Sequence, residues 1–300
     1  MMTNSSWPCL EPDVETILAL ESNPIQSIAS GEVPAVVIRQ AFPREECAAL
    51  VDLLLEEELI FPPEQDDRID ETAIPAVDSD RWTRAGINPA QTKRRRIDIG
   101  TSLGHRGGDK QDFLARSVES NAMFDRLFAE RPDPIATMYD HLRAIAPEKQ
   151  VAVASEPDGR QYGRAIFRVH YGGYTYGPHF DSVRQREKRT DYSVFKYEHQ
   201  IAGVLCVQNT TLGSATAQGI IHRQFWNEEV DPYLKSGRFY NYASTHSVER
   251  VRVELDPGDL YFFNTSLIHE VPGVEGELPR IVLATFIGYS ESDDTVVVWS

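Results

Sequence analysis

The sequence predicts an α+β, mainly β fold, with an N-terminal helical layer packed on a β sandwich or barrel. Three observations predict it. Helical periodicity is confined to the first half of the chain. From about residue 160 the texture changes to short strands separated by Gly, Pro, Asn and Asp. The 300 residues, 41% apolar and 25% charged, suffice for one large core and exclude a long disordered or fibrous chain. The chain reads as a single domain, 1–300: an N-terminal arm, strand and helices over 1–159, a β core over 160–290 and a C-terminal strand over 291–300.

The elements follow in order. Residues 1–30 form an arm with a short helix around Val14–Leu20, and Ala35–Ala41 reads as a strand. Pro43 and the acids Glu45 and Glu46 start a helix. Cys47, Leu50, Val51, Leu54 and Leu55 give that helix one buried face. Residues 60–110 lack periodicity, and the run Thr92–Arg96 (TKRRR) reads as a solvated loop or a rim that draws an anion toward a pocket. Helices follow over Gln111–Glu130 and Pro134–Ile145, with Asp133 as N-cap of the second. Strands are predicted at Ala165–Tyr171, Ile201–Gln208, Gly219–Phe225, Val248–Leu255, Leu260–Asn264 and Ile281–Tyr289. The charged segment Arg184–His199 is long for a hairpin loop and reads as a mobile lid or a surface insertion.

Charge and composition exclude several functions. A net charge of −16 repels phosphate backbones and anionic lipid, so the partner predicted is a small molecule, not nucleic acid or a membrane. Three scattered cysteines, Cys9, Cys47 and Cys206, make neither a disulfide framework nor a thiolate zinc site. The N-terminal stretch lacks a basic region followed by an apolar one, and no apolar run reaches membrane-span length, so a cytoplasmic protein is expected. Oligomeric state is left open.

The chemistry is carried by three local patterns. His179-Phe180-Asp181 places an imidazole and a carboxylate on the same side of an extended stretch, after the Gly-rich loop YGGYTYGP. Of the eight histidines, only His179 has Asp two residues on. His269 ends an apolar run that starts from the turn Pro257-Gly258-Asp259. Arg280 opens a strand that is apolar on both alternating sets, and a guanidinium there is costly without an anionic partner. Two imidazoles and one carboxylate suit non-haem Fe(II) with positions left open, and a guanidinium suits the distal carboxylate of a keto acid.

Through His179, Asp181, His269 and Arg280, the chain resembles the Fe(II)- and 2-oxoglutarate-dependent oxygenases. The resemblance implies a double-stranded β-helix (jelly roll, cupin-like). The stretches VVIRQAFPREE, FWNEEVD, PGDLYFFN and VVVWS extend the similarity to stand-alone oxygenases and halogenases acting on small indole alkaloids without a carrier protein. It implies Fe(II) held by His179, Asp181 and His269, with 2-oxoglutarate and O2 as co-substrates and Arg280 pairing the 5-carboxylate. The halogenases replace the Asp by Gly or Ala; here Asp181 is present, which implies hydroxylation of a small secondary metabolite or amino-acid derivative. A non-catalytic jelly-roll metal or ligand binder and a protein side-chain hydroxylase are the alternatives. Many relatives have Ser or Thr two residues after the Arg; this chain has Val282.

Arg168 shares a strand face with His170 and reads as a second anchor for 2-oxoglutarate or as a surface ion pair. Tyr176, Phe180, Phe195 and Phe225 are the candidate substrate-contacting aromatics, the third of them on the lid. His222 and His246 read as incidental.

Overall fold

The computed structural model describes residues 6–62, 96–103, 109–172, 174–210, 217–274 and 278–300. Two antiparallel-rich sheets face each other, and helices cover their outer faces. This is the mainly β, α+β jelly roll that the sequence implies.

The larger sheet joins β1 (Val36–Ile38), β2 (Arg96–Gly100), β3 (Gln150–Val153), β4 (Ile166–His170), β6 (His199–Gln208), β9 (Leu260–Asn264), β11 (Arg280–Tyr289) and β12 (Thr295–Trp299). The smaller runs β5 (Tyr176–His179), β10 (Leu267–Val271), β7 (Gly219–Phe225), β8 (Arg250–Val253). In the larger sheet β11 is the hub. One edge pairs with β6 along its length, while the other pairs with β4 through Arg280–Ala284 and with β12 through Phe286–Gly288.

Strand parity explains why β11 is apolar on both sets. Ile281, Leu283, Ile287 and Tyr289 face the helical layer, and Val282, Ala284 and Phe286 face the interior between the sheets. Arg280 belongs to the second set. The same parity turns Phe167 and Val169 of β4 to the helices, and Arg168 and His170 inward.

The helical layer is α1 (Val14–Leu20), α2 (Pro24–Ser30), α3 (Arg44–Glu56), α4 (Lys110–Leu127) and α5 (Pro134–Ile145). Ile17, Ile28, Leu54, Phe124 and Leu142 pack it onto Phe167, Leu205, Phe262 and Leu283. Asp133 caps α5, accepting from the Ile135 and Ala136 amides at 2.8 and 3.3 Å. Two short helices, α6 (Asp231–Lys235) and α7 (Phe239–Thr245), cover the outer face of the smaller sheet, with Val230, Phe239 and Tyr242 packing on Phe180 and Ile268. No described helix is long and apolar enough to cross a membrane.

Several sequence expectations are corrected. The aperiodic region 60–110 contains β2, which takes up Arg96, the last residue of TKRRR; Thr92–Arg95 lie outside the described residues. His269 does not end the strand that begins at Leu260. A turn at Thr265-Ser266 starts β10, and His269 sits in its middle. The strands β1, β2, β3 and β12 belong to the same sheet as β4, β6, β9 and β11, so the β architecture extends beyond 160–290.

The charged segment 184–199 is compact rather than an open loop. A π-helical turn, Val183–Glu187, and a 3-10 turn, Ser193–Lys196, fold it back on the body. Ser193 Oγ donates to the Ser155 carbonyl at 2.7 Å, and the Tyr192 ring packs edge-on against Phe113 and Tyr162.

The turn Pro257-Gly258-Asp259 is the tightest joint. Gly258 has φ +96°, and a Cβ there would lie 2.3 Å from the Phe42 carbonyl oxygen, while Phe42 N donates to the Gly258 carbonyl at 3.0 Å. Gly258→Ala is expected to lower unfolding free energy by about 2 kcal/mol or more, measured by denaturant titration.

Candidate metal and co-substrate site

The ligand strands explain the convergence. β10 lies between β5 and β7, and its antiparallel register sets His269 directly opposite His179. Asp181 follows β5 by two residues and is tied back by two bonds: its amide donates to the Thr265 carbonyl at 2.9 Å, and Thr265 Oγ1 donates to the Asp181 carbonyl at 2.8 Å. His179 Nε2 and His269 Nε2 each lie 3.8 Å from Asp181 Oδ2. Ligand atoms from the three residues all fall within 4.8 Å of one another.

The unused atoms of each ligand are already engaged. His179 Nδ1–H donates to the Gly177 carbonyl and His269 Nδ1–H to the Leu267 carbonyl, both at 2.8 Å. That leaves Nε2 of each ring as the free lone pair. Asp181 Oδ1 accepts from Arg186 Nη1 at 2.6 Å, which leaves Oδ2 for the site. Arg186 is anchored in turn to the Phe180 carbonyl at 2.7 Å.

Electrostatics agree with a ligand set. Burial pushes the His179 imidazole well below its usual range, and the neighbouring His269 ring adds to this, so His179 is neutral and able to bind metal. Burial works to raise the Asp181 carboxyl, but His269, His179 and Arg186 outweigh it and hold it far below the usual carboxylate range. Two imidazoles and one carboxylate, with the second atom of each engaged by a hydrogen bond, fit an Fe(II) ion with open positions.

A cavity between the sheets runs from these residues to the inner face of the large sheet. Arg168, His170, Tyr176, Tyr261 and Arg280 line it. Arg280 is 4% exposed, and no carboxylate among the described residues acts on it. Arg168 is inside, not at the surface. Its Nε is buried without a partner among the described residues, and its guanidinium lies 5.8 Å from the Phe286 ring centroid. The wall is therefore cationic and short of anions.

The predicted aromatics separate. Tyr176 lines the cavity and stacks on His179 at 3.6 Å between ring centroids. Phe180 points the other way and stacks on Trp226 at 4.9 Å, because parity sends it to the outer face. Phe195 is outside the cavity: the 3-10 turn presses it against the interior cluster, with Arg184 over its ring at 5.8 Å. Phe225 ends β7 at 37% exposure and rests on Gly31, also outside the cavity.

His222 is buried on the far face of the small sheet, paired with Glu270 at 2.9 Å, and Glu270 also accepts from Tyr240. His246 stacks on Tyr242. Neither lines the cavity. Arg186 and His170 were the residues that sequence reasoning left out of the site. Arg186 comes five residues after Asp181, and only the π-helical turn brings it back.

Comparison with known proteins matches this picture. A family model described as carrier-protein-independent halogenase WelO5 matches residues 7–300. A solved N-substituted L-amino acid dioxygenase from Burkholderia ambifaria AMMD is 14% identical, with 92% of this chain and 90% of that one covered and a TM-score of 0.56. The same dioxygenase in complex with alpha-KG gives 14% identity, the same coverage and a TM-score of 0.54. At that identity the likeness shows a shared fold. No curated protein matches the chain. The chain belongs to the WelO5 family, within the non-haem oxygenases that use Fe(II), 2-oxoglutarate and O2.

Proposed function

We propose that this member of the family is a hydroxylase rather than a halogenase. It would insert oxygen into an unactivated C–H bond of a small secondary metabolite or amino-acid derivative, while 2-oxoglutarate and O2 become succinate, CO2 and the new hydroxyl oxygen. The observation that carries this reading is Asp181, whose Oδ2 lies 3.8 Å from both ligand imidazole nitrogens. In the halogenases that the chain resembles, that carboxylate is absent and its position is left for halide.

Each residue has a physical task in this reading. His179, Asp181 and His269 would hold the iron, and the carbonyls of Gly177 and Leu267 keep the two rings in one tautomer. Arg186 holds Oδ1, so Asp181 is presented through a single oxygen. When bound, iron supplies the activation of O2 that breaks the substrate C–H bond. Arg280 would pair the distal carboxylate of 2-oxoglutarate, with Arg168 as the second cation of the same wall. Tyr176, stacked on His179, would bound the space where substrate approaches. Between the sheets the buried Val204, Phe263 and Val282 would keep water from the reacting groups.

The test is a panel of alkaloid, amino-acid and terpenoid substrates, incubated with Fe(II), 2-oxoglutarate and O2 in the presence of chloride and bromide. The expected product carries one added oxygen, formed in step with succinate. A halogenated product from the intact protein would overturn the assignment.

A further inference from the structure

The inner face of the large sheet carries two rows of side chains. The register of β2, β4 and β11 sets Arg96, His170 and Arg280 side by side, with Asp98, Arg168 and Val282 in the next row. The three polar groups of the first row differ in what they hold. Arg96 is committed to Asp98 through two bonds, Nε to Oδ1 at 2.7 Å and Nη2 to Oδ2 at 2.6 Å. Its remaining Nη1 donates to the Tyr174 hydroxyl at 3.3 Å. Arg280 has no such partner among the described residues.

His170 is the anomaly. It is 2% exposed, lines the cavity, and neither ring nitrogen has a hydrogen-bond partner among the described residues. A buried imidazole left unsatisfied on both nitrogens is rare, because each unmade bond costs stability. Tyr174 stacks on the ring at 4.3 Å and an interplanar angle of 27°, so the ring is held in place. Burial, and then the guanidiniums of Arg280, Arg96 and Arg168, push His170 well below its usual range. It therefore stands neutral, with one N–H to donate. Val282, in the next row beside Arg168, supplies no hydroxyl to the wall.

We propose that His170 is a binding residue for 2-oxoglutarate: Arg280 pairs the charge of the distal carboxylate, and the His170 imidazole N–H donates a second hydrogen bond to that same group. The proposal rests on Arg280 being the co-substrate anchor. A neutral donor suits the position, since it adds a directed bond without a further positive charge beside Arg280 and Arg168. It also explains why the row tolerates an orphaned histidine: the missing partner arrives with the co-substrate.

The test is an anaerobic titration of the Fe(II)-loaded protein, read by the charge-transfer absorption that a chelating keto acid gives. Two titrants are compared, 2-oxoglutarate and 2-oxobutyrate, which has the same keto-acid head and no distal carboxylate. His170→Leu removes the donor and leaves no orphaned polar atom, so the fold is retained; His170→Gln keeps an N–H. His170→Leu is expected to weaken 2-oxoglutarate about tenfold and leave 2-oxobutyrate unchanged, with His170→Gln within about threefold of the parent. Unchanged 2-oxoglutarate affinity in His170→Leu would overturn the proposal. So would equal losses for the two keto acids, or a Gln variant as weak as the Leu variant. If the parent gives no band with either titrant, the co-substrate assignment itself fails, and that result is distinct from all of these.

Discussion

Asp181→Gly is expected to lower hydroxylation about 100-fold or more, because it removes one of the three proposed metal ligands and the only charged one. The two histidines stay where they are: their register is set by β5 and β10, and their Nδ1 bonds go to main-chain carbonyls that the substitution does not touch. Arg186 keeps its bond to the Phe180 carbonyl and its ion pair with Glu187 at 3.7 Å, but loses its shorter contact with the Asp181 carboxylate. A cation and an open coordination position then lie side by side, a setting that draws a small anion. The variant is expected to bind halide in a chloride-dependent shift of the Fe(II)–2-oxoglutarate absorption. Full hydroxylation by Asp181→Gly would show that Asp181 is not a ligand.

The second large effect separates binding from stability. Arg280→Ala is expected to raise the KM for 2-oxoglutarate about 100-fold, the loss of a desolvated charge pair. The protein without co-substrate should behave in the opposite sense. Burial pushes the Arg280 guanidinium below its usual range, and no described carboxylate compensates it, so the free protein carries an unpaired buried charge. Removing it should leave the melting temperature equal or higher, while the extra stabilisation that 2-oxoglutarate gives the parent disappears. Thermal unfolding with and without 2-oxoglutarate reads both. A variant that melts lower yet keeps its KM would make Arg280 a structural residue.

The sequence made the core strands and the candidate metal ligands legible for identifiable reasons. Gly219–Phe225 and Leu260–Asn264 are strands with the predicted bounds, since turn residues delimit each one. The helices Val14–Leu20 and Pro134–Ile145 also match, the second through its Asp133 cap and Pro134 start. His179 and Asp181 stood out because an i, i+2 pair in extended chain shares a side. β2 was hidden because its inward positions, Arg96 and Asp98, are charged and satisfy each other, which reads as a solvated loop. Phe180 and Phe225 were misplaced because proximity in sequence to ligand strands says nothing about which way a ring turns, and Phe195 because the segment read as a lid is folded back on the body. Arg186 and the orphaned state of His170 depend on contacts among distant elements, so no local pattern announces them.

Each ligand imidazole gives its Nδ1 proton to a carbonyl of its own strand, two residues upstream. The tripod is thus standing before any ion arrives, and loading it requires little rearrangement. Such a prepared site ranks divalent ions by their intrinsic affinities for nitrogen and oxygen donors, so zinc, cobalt and nickel should compete with iron in proportion to their supply. Purified protein would then be a mixture of metallated forms whose iron fraction reports the metal economy of the cell that made it.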